Sequence, residues 1–132
     1  MIRSGQSFLA LVIIVGGIVL AIGVYLTFVA VSFVNSEYGY QAAASADAAA
    51  MAGAEDALLQ LDRNIGFSSG GYSLAVGSTT ATVTVTQNSP ATNFITVLAK
   101  ATVFANTRKV NVVLAKNAST SALTVTSWSE IQ

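Results

Sequence analysis

The stretch FLALVIIVGGIVLAIGVYLTFVAVSFV, residues 8–34, decides how the rest of this chain must be organised. Every residue in it is apolar or small, and the only hydroxyl groups belong to Tyr25, Thr27 and Ser32. As an α-helix it would be about 40 Å long, which exceeds the ~30 Å hydrocarbon core of a bilayer. A secretory signal peptide has a much shorter apolar region. The stretch therefore predicts a membrane-spanning helix.

The charges that flank this stretch predict its orientation. Arg3 precedes it, and the next charged residue after it is Glu37. Basic residues remain preferentially on the cytoplasmic side of a spanning helix. We therefore expect a single-pass protein of the inner, or cytoplasmic, membrane, with its N-terminus in the cytoplasm and its C-terminal part outside.

The helix is expected to continue beyond the membrane. Residues 40–61, YQAAASADAAAMAGAEDALLQL, are rich in alanine, the best helix former, and contain no proline. Asn64 and Gly66 are typical residues at a helix end. One nearly continuous helix is predicted from about Phe8 to about Arg63. Larger apolar residues recur at helical spacing and predict one buried stripe. The stripe consists of Met51, Ala54, Leu58, Leu61 and Ile65.

The C-terminal half has the alternating pattern of β-strands. Strands are predicted at residues 72–76, 79–87, 94–104, 108–115 and 123–128. Gly77 and Ser78 form a two-residue hairpin turn in this prediction, and residues 105–107 form a second turn. Threonine and valine alternate in the second strand, which is typical of a strand with one dry and one solvated face. The fold class is therefore α+β, with a long N-terminal helix packed on a small C-terminal antiparallel β-sheet.

Composition argues against catalysis and nucleic-acid binding. The 132 residues include no cysteine and no histidine, which removes thiolate chemistry and the commonest general base and metal ligand. The formal net charge is zero, so there is no electrostatic footprint for nucleic acid. We expect no enzyme, no cofactor, no metal site and no catalytic residue. The acidic set Glu55, Asp56 and Asp62 is interpreted as a solvated helix face, because it lacks the ligand spacing of a calcium loop.

Several isolated residues have a structural interpretation beside a functional one. Arg108 and Lys109 are interpreted as solubilising, with a contact to an acidic neighbour such as Asp56 as the alternative. Trp128 is expected to fill the core. Asn117 begins an N-glycosylation triplet, although so short a pattern is frequent by chance.

Three glycines in the apolar stretch have two interpretations. Gly16, Gly17 and Gly23 are ordinary residues for a membrane helix, or they allow close helix–helix packing. The alanine-rich segment that follows, residues 42–57, favours close packing slightly, since a single exposed helix rarely needs so many small residues.

The whole arrangement resembles the type IV pilin family, and the N-terminal residues carry the resemblance. A short basic leader ends in Gly5, the small polar step Gln6-Ser7 follows, and Phe8 then opens the long apolar helix. The resemblance implies that a prepilin peptidase cleaves after Gly5 and that Gln6, the new N-terminus, is N-methylated. It also implies that the partners are the membrane, the peptidase and other pilin subunits in a filament outside the cell.

One departure from the family pattern concerns Ala10. Most pilins have a glutamate at the fifth position after the cleavage site, where it is thought to neutralise the N-terminus of a neighbouring subunit. Ala10 occupies that position here. Within the family, subunits that lack the glutamate are typically minor or tip components, so the resemblance favours a minor over a major subunit.

The predicted organisation has four parts, and two alternatives remain beside a pilus subunit. Residues 1–5 are the leader, 6–36 the membrane or filament-core helix, 37–65 its amphipathic continuation, and 66–132 the sheet domain. A pseudopilin of a secretion or DNA-uptake system would share this organisation. A plain membrane-anchored sheet domain would explain the anchor and the strands but leave the Gly5-Gln6 step unexplained.

Overall fold

The computed structural model describes residues 3–132 and confirms the α+β fold class. Its elements are α1 (Arg3–Arg63), β1 (Ser69–Val76), β2 (Thr79–Gln87), β3 (Phe94–Val103), β4 (Asn106–Lys116) and β5 (Leu123–Ile131). The chain divides after Tyr38 into two compact units. The first contains the apolar stretch, and the second, Gly39–Gln132, contains the rest of α1 and the sheet.

Helix α1 ends where the sequence predicts. Its last residue is Arg63, and the next backbone amide, that of Asn64, donates to the carbonyl of Gln60 at 2.9 Å. The Asn64 side chain then accepts a hydrogen bond from the backbone N–H of Gly66 at 3.1 Å. This side-chain acceptor offers the backbone an alternative to further helical bonds, which stabilises the stop.

The five strands form one antiparallel meander in the order β1-β2-β3-β4-β5. All five predicted strands are present, with changes at their ends. Strand β1 begins earlier than predicted, at Ser69, and β5 extends to Ile131. The turn between β3 and β4 consists of two residues, Phe104 and Ala105, and not of residues 105–107, because Val103 and Asn106 already pair across the hairpin.

The core lies between the second half of α1 and the three central strands. The helix contributes mainly alanine, and the sheet contributes valine and other aliphatic residues. The fully buried members of this cluster are Ala49, Ala50, Ala54, Ala57, Leu61, Ala81, Val83, Val85, Ile95, Val97, Ala99, Ala101, Val110, Val112 and Leu114.

The predicted apolar stripe on α1 is only partly correct. Ala54 and Leu61 are fully buried, whereas Met51 and Leu58 are partly buried at the margin of the core and Ile65 lies beyond the helix end. Alanines occupy the centre of the contact because small side chains allow the helix backbone to approach the sheet closely. Burial therefore depends on residue size here as well as on hydrophobicity.

Gly53 marks the closest approach of helix and sheet. A Cβ atom at this position would lie 2.9 Å from Val83 Cγ2, 3.2 Å from Ala81 Cβ and 3.3 Å from Ala99 Cβ. Ordinary carbon–carbon contacts are about 3.5–4.0 Å. Glycine is therefore required at this position for steric reasons, although it lowers the intrinsic helix propensity.

The prediction that Trp128 fills the core is wrong. Trp128 pairs with Val112 and lies on the same sheet face, but its side chain is 41% exposed. The physical reason is its position on the edge strand β5, since the fully buried strand residues all belong to β2, β3 and β4.

Replacing Gly53 with leucine is expected to lower the free energy of unfolding by about 1–3 kcal/mol through overpacking. The matched control is Ala48→Leu on the exposed side of the same helix, which should change stability by less than about 0.5 kcal/mol. Urea unfolding of the full chain in detergent micelles, followed by circular dichroism, measures both. Equal stability of the two variants would contradict the packing described.

Candidate membrane and assembly surfaces

The apolar stretch of α1 exposes its side chains on all sides of the helix. Apart from the half-buried Val29, the large apolar residues from Phe8 to Val34 have exposed fractions from 50% at Val34 to 75% at Phe33. None of the most apolar 18-residue window is buried inside the protein. By length and composition, α1 could therefore cross a membrane. A surface this apolar needs lipid or another apolar surface to cover it.

One polar side chain within the stretch has an internal partner. Thr27 Oγ1 donates a hydrogen bond to the backbone carbonyl of Gly23, one helical turn earlier, at 2.9 Å. A polar group in hydrocarbon is costly unless it is hydrogen-bonded. Thr27 is thus compatible with an apolar environment.

The three glycines of the stretch have open space around them. A Cβ atom at Gly16, Gly17 or Gly23 would meet nothing within 4 Å. No contact inside the described chain therefore requires glycine at these positions, in contrast to Gly53. Both interpretations of these glycines, ordinary membrane-helix residues and packing positions, remain predictions.

The residues of the proposed cleavage site lie near the beginning of α1. Gly5, Gln6 and Ala10 are helical and exposed. A Cβ atom at Gly5 would also meet nothing within 4 Å. Cleavage and N-methylation at this step stay predictions from the resemblance.

The alanine-rich segment is used inside the chain. Six of its alanines are buried within the second unit, and so is Gly53. Their burial needs no neighbouring helix to explain it. The six alanines are Ala42, Ala46, Ala49, Ala50, Ala54 and Ala57. These alanines therefore do not favour contacts between helices of different subunits.

A glutamine side chain forms hydrogen bonds with the segment that connects α1 and β1. Gln87 Nε2 donates to the backbone carbonyls of Ile65 at 3.0 Å and Phe67 at 2.7 Å. The Phe67 ring packs edge-on against Tyr72, with ring centroids 6.0 Å apart. The end of the helix is thus tied to both β1 and β2.

Asp56 has a partner that the sequence did not reveal. The Tyr72 hydroxyl donates to Asp56 Oδ2 at 2.6 Å. Burial raises the pKa of Tyr72 well above its usual range, and the hydrogen bond to Asp56 and its negative charge add to the effect. Asp56 is thus bonded to Tyr72, whereas Arg108 lines a different cleft together with Asp47 and Glu130.

A second apolar surface lies between the end of α1 and the edge strand β5. A groove of about 490 Å³ is lined by Leu58, Leu59, Leu114, Leu123 and Val125, with Glu55 and Asp62 beside them. Leu59 is 58% and Val125 49% exposed. Glu55 and Asp62 are exposed as predicted for a solvated helix face.

The Asn117 side chain is engaged in the turn between β4 and β5. Its Oδ1 atom accepts hydrogen bonds from the backbone amides of Ser119 at 2.8 Å and Thr120 at 3.2 Å. The residue is exposed, and its glycosylation stays a prediction.

Comparison with known proteins does not identify a family for this chain. No family model matches the chain, and the searches of curated proteins and of solved structures return no match either. Within residues 3–132, acidic side chains do not form a group that could hold a metal ion. The long helix packed on a small antiparallel sheet is compatible with a pilin-like fold.

Stability is expected to fall with rising pH through the Tyr72–Asp56 pair. Because the pKa of Tyr72 is higher in the folded chain, the unfolded chain loses the phenolic proton first as the pH rises. The contribution of the Tyr72–Asp56 pair to the free energy of unfolding is fully present below about pH 10 and declines above it. Tyr72→Phe should lose that decline, whereas Tyr40→Phe, at an 81% exposed site, should retain it. Urea unfolding between neutral and alkaline pH measures the difference, and parallel curves for wild type and Tyr72→Phe would contradict it.

Proposed function

We propose that this protein is a structural subunit of a type IV pilus-like filament, cleaved by a prepilin peptidase after Gly5 and assembled through its N-terminal helix. The exposed apolar surface of residues 8–34 is the observation that carries the proposal. The second unit has its own core, and among the described residues that core includes none from the stretch 8–34. The helix is thus free to change its covering from lipid to neighbouring subunits.

The physical mechanism is transfer of the helix between two apolar environments. In the membrane, lipid covers the side chains of residues 8–34, and in a filament the same side chains would meet other copies of the helix. Such a transfer changes hydrophobic free energy little, so close packing and the assembly machinery decide its direction. A head-to-tail contact that does not close on itself then generates an open helical polymer.

A minor or tip position in the filament follows from Ala10. A carboxylate in the membrane is costly unless it is paired, so the alanine makes the isolated anchor more stable in lipid. It also removes the charge that would pair with the N-terminus of an adjoining subunit. The proposed partners are therefore other pilin subunits, the peptidase and the membrane, with a cytoplasmic N-terminus before export to the extracellular filament.

The first experiment is the intact mass and N-terminal sequence of the protein purified from its native cells. The expected mature chain begins at Gln6 and carries one methyl group on its amino nitrogen. Retention of residues 1–5 would overturn the processing proposal and leave the plain membrane anchor as the better account.

Replacing Gly5 with valine is expected to prevent cleavage while leaving membrane insertion intact. The position is sterically open, so the substitution should not disturb the fold. Gly16→Val, at an equally open helix position, serves as the control and should be cleaved normally. The mass of each variant recovered from membranes decides the result, and normal cleavage of Gly5→Val would argue against recognition of this step.

Replacing Gly23 with leucine tests whether the small residues pack against neighbouring helices. We expect normal membrane insertion but fewer filaments, because overpacking at a close helix contact costs about 1–3 kcal/mol for each subunit. Val24→Leu is the control, since it alters an adjoining residue that is already large. Filament yield in the sheared cell fraction is compared with protein in the membrane fraction. An undiminished yield would assign Gly23 to the ordinary composition of membrane helices.

A further inference from the structure

Phe104 occupies an unusual position for a phenylalanine. It is the first residue of the two-residue turn between β3 and β4, and its φ angle is +52°. Only the first residue of this turn has a positive φ, which is the pattern of a type II′ hairpin turn, where glycine is the usual residue. A bulky residue with positive φ is uncommon and marks a turn with strain or a special role.

The Phe104 ring also has almost no cover from its own domain. Its side chain is 89% exposed, the largest value among the large apolar residues of residues 5–132. Neither backbone preference nor core packing therefore explains a phenylalanine here. A partner outside the chain would explain it.

The position of the turn identifies that partner. Asn106, the residue that closes the turn, has its Nδ2 atom 3.5 Å from the backbone carbonyl of Gly39. Gly39 follows Val34, the last residue of the apolar stretch, by five positions. Five residues span at most about 18 Å of chain. In a chain anchored through residues 8–34, the turn therefore lies within reach of the lipid surface.

Other side chains at this end of the sheet suit the same environment. The end of β5 lies at the same end of the sheet as the β3–β4 turn, because Ile131 pairs with Lys109 near the start of β4, and Ile131 is 46% exposed. Tyr38 and Tyr40, on either side of Gly39, are 65% and 81% exposed. Tyrosine is enriched where membrane helices pass from hydrocarbon into the headgroup region.

We propose that the β3–β4 hairpin inserts Phe104 into the lipid–water interface of the membrane and so holds the sheet domain against the bilayer before assembly. This inference rests on the membrane anchoring in the proposed function. The contact is non-covalent and reversible, since one aromatic ring adds only a small apolar area to the anchor. Extraction of the subunit into a filament would release it.

Single-tryptophan variants of the full chain in phosphatidylcholine vesicles test this contact. The chain has one tryptophan, so Trp128→Phe provides a background free of tryptophan. Phe104→Trp then reports on the turn and Phe28→Trp on the anchor. Leu98→Trp is the matched control, because Leu98 is exposed on the same strand about 20 Å from the turn. Each variant is measured with lipids brominated near the headgroup end of the acyl chain and with lipids brominated near its methyl end.

The proposal expects tryptophan at position 104 to have blue-shifted emission and to be quenched most by the shallow bromines. Tryptophan at position 98 should remain unquenched, and tryptophan at position 28 should be quenched. If position 28 is quenched while position 104 behaves like position 98, the anchor stands and the hairpin contact is wrong. A blue shift at position 104 that appears only on filament formation would likewise overturn it and assign Phe104 to a second copy of the chain. An unquenched position 28 would overturn the anchor and this inference together, whatever the N-terminal processing.

A second measurement avoids tryptophan at the strained position. Phe104→Asn keeps the fold, because asparagine tolerates positive φ, but removes the apolar ring. Hydrogen exchange at the backbone amides of the turn should be slower in vesicle-bound wild type than in vesicle-bound Phe104→Asn, by on the order of tenfold for the loss of one buried ring. The amide of Leu98 should exchange equally in both. Equal exchange at the turn would overturn the lipid contact.

Discussion

The close contact between α1 and the sheet is the constraint on which the globular part of this protein depends. Gly53 leaves no room for a Cβ atom, and the alanines around it bring the helix backbone directly onto the valines of the central strands. A chain without disulfides must hold a small domain together by non-covalent contacts alone. The close approach compensates for small side chains, since it lets many methyl groups contact one another.

Polar groups occupy the margins of this contact and determine where it ends. Gln87 holds the chain just after the helix, and Tyr72 binds Asp56 on one flank of α1. On the edge strand β5, Val125 and Trp128 remain partly exposed. Uncovered apolar groups of the domain thus lie along this edge strand.

The two halves of α1 differ in what covers their apolar surface. The second half packs one face of small residues against the sheet of the same chain, so this contact forms within one molecule. The first half has large apolar residues on all sides, and among the described residues nearly all of them are exposed. Lipid and other copies of the helix are the two coverings that the proposed function assigns to it. Phe104 and its neighbours would extend the lipid-facing surface to the sheet domain.

The sequence by itself determined the helix, its end at Arg63, the five strands and the spanning length of residues 8–34, because local periodicity and turn residues specify these features. Only the tertiary structure decided which helix face is buried, since alanine gives a weak hydrophobic signal and Gly53 gives none. The exposure of Trp128 was likewise outside the reach of the sequence, because a strand pattern does not reveal whether its strand lies at the sheet edge. The same holds for Phe104, whose positive φ and exposure depend on the pairing of Val103 with Asn106. Pairing register and distance between elements are properties of the folded chain, and the candidate surfaces are built from them.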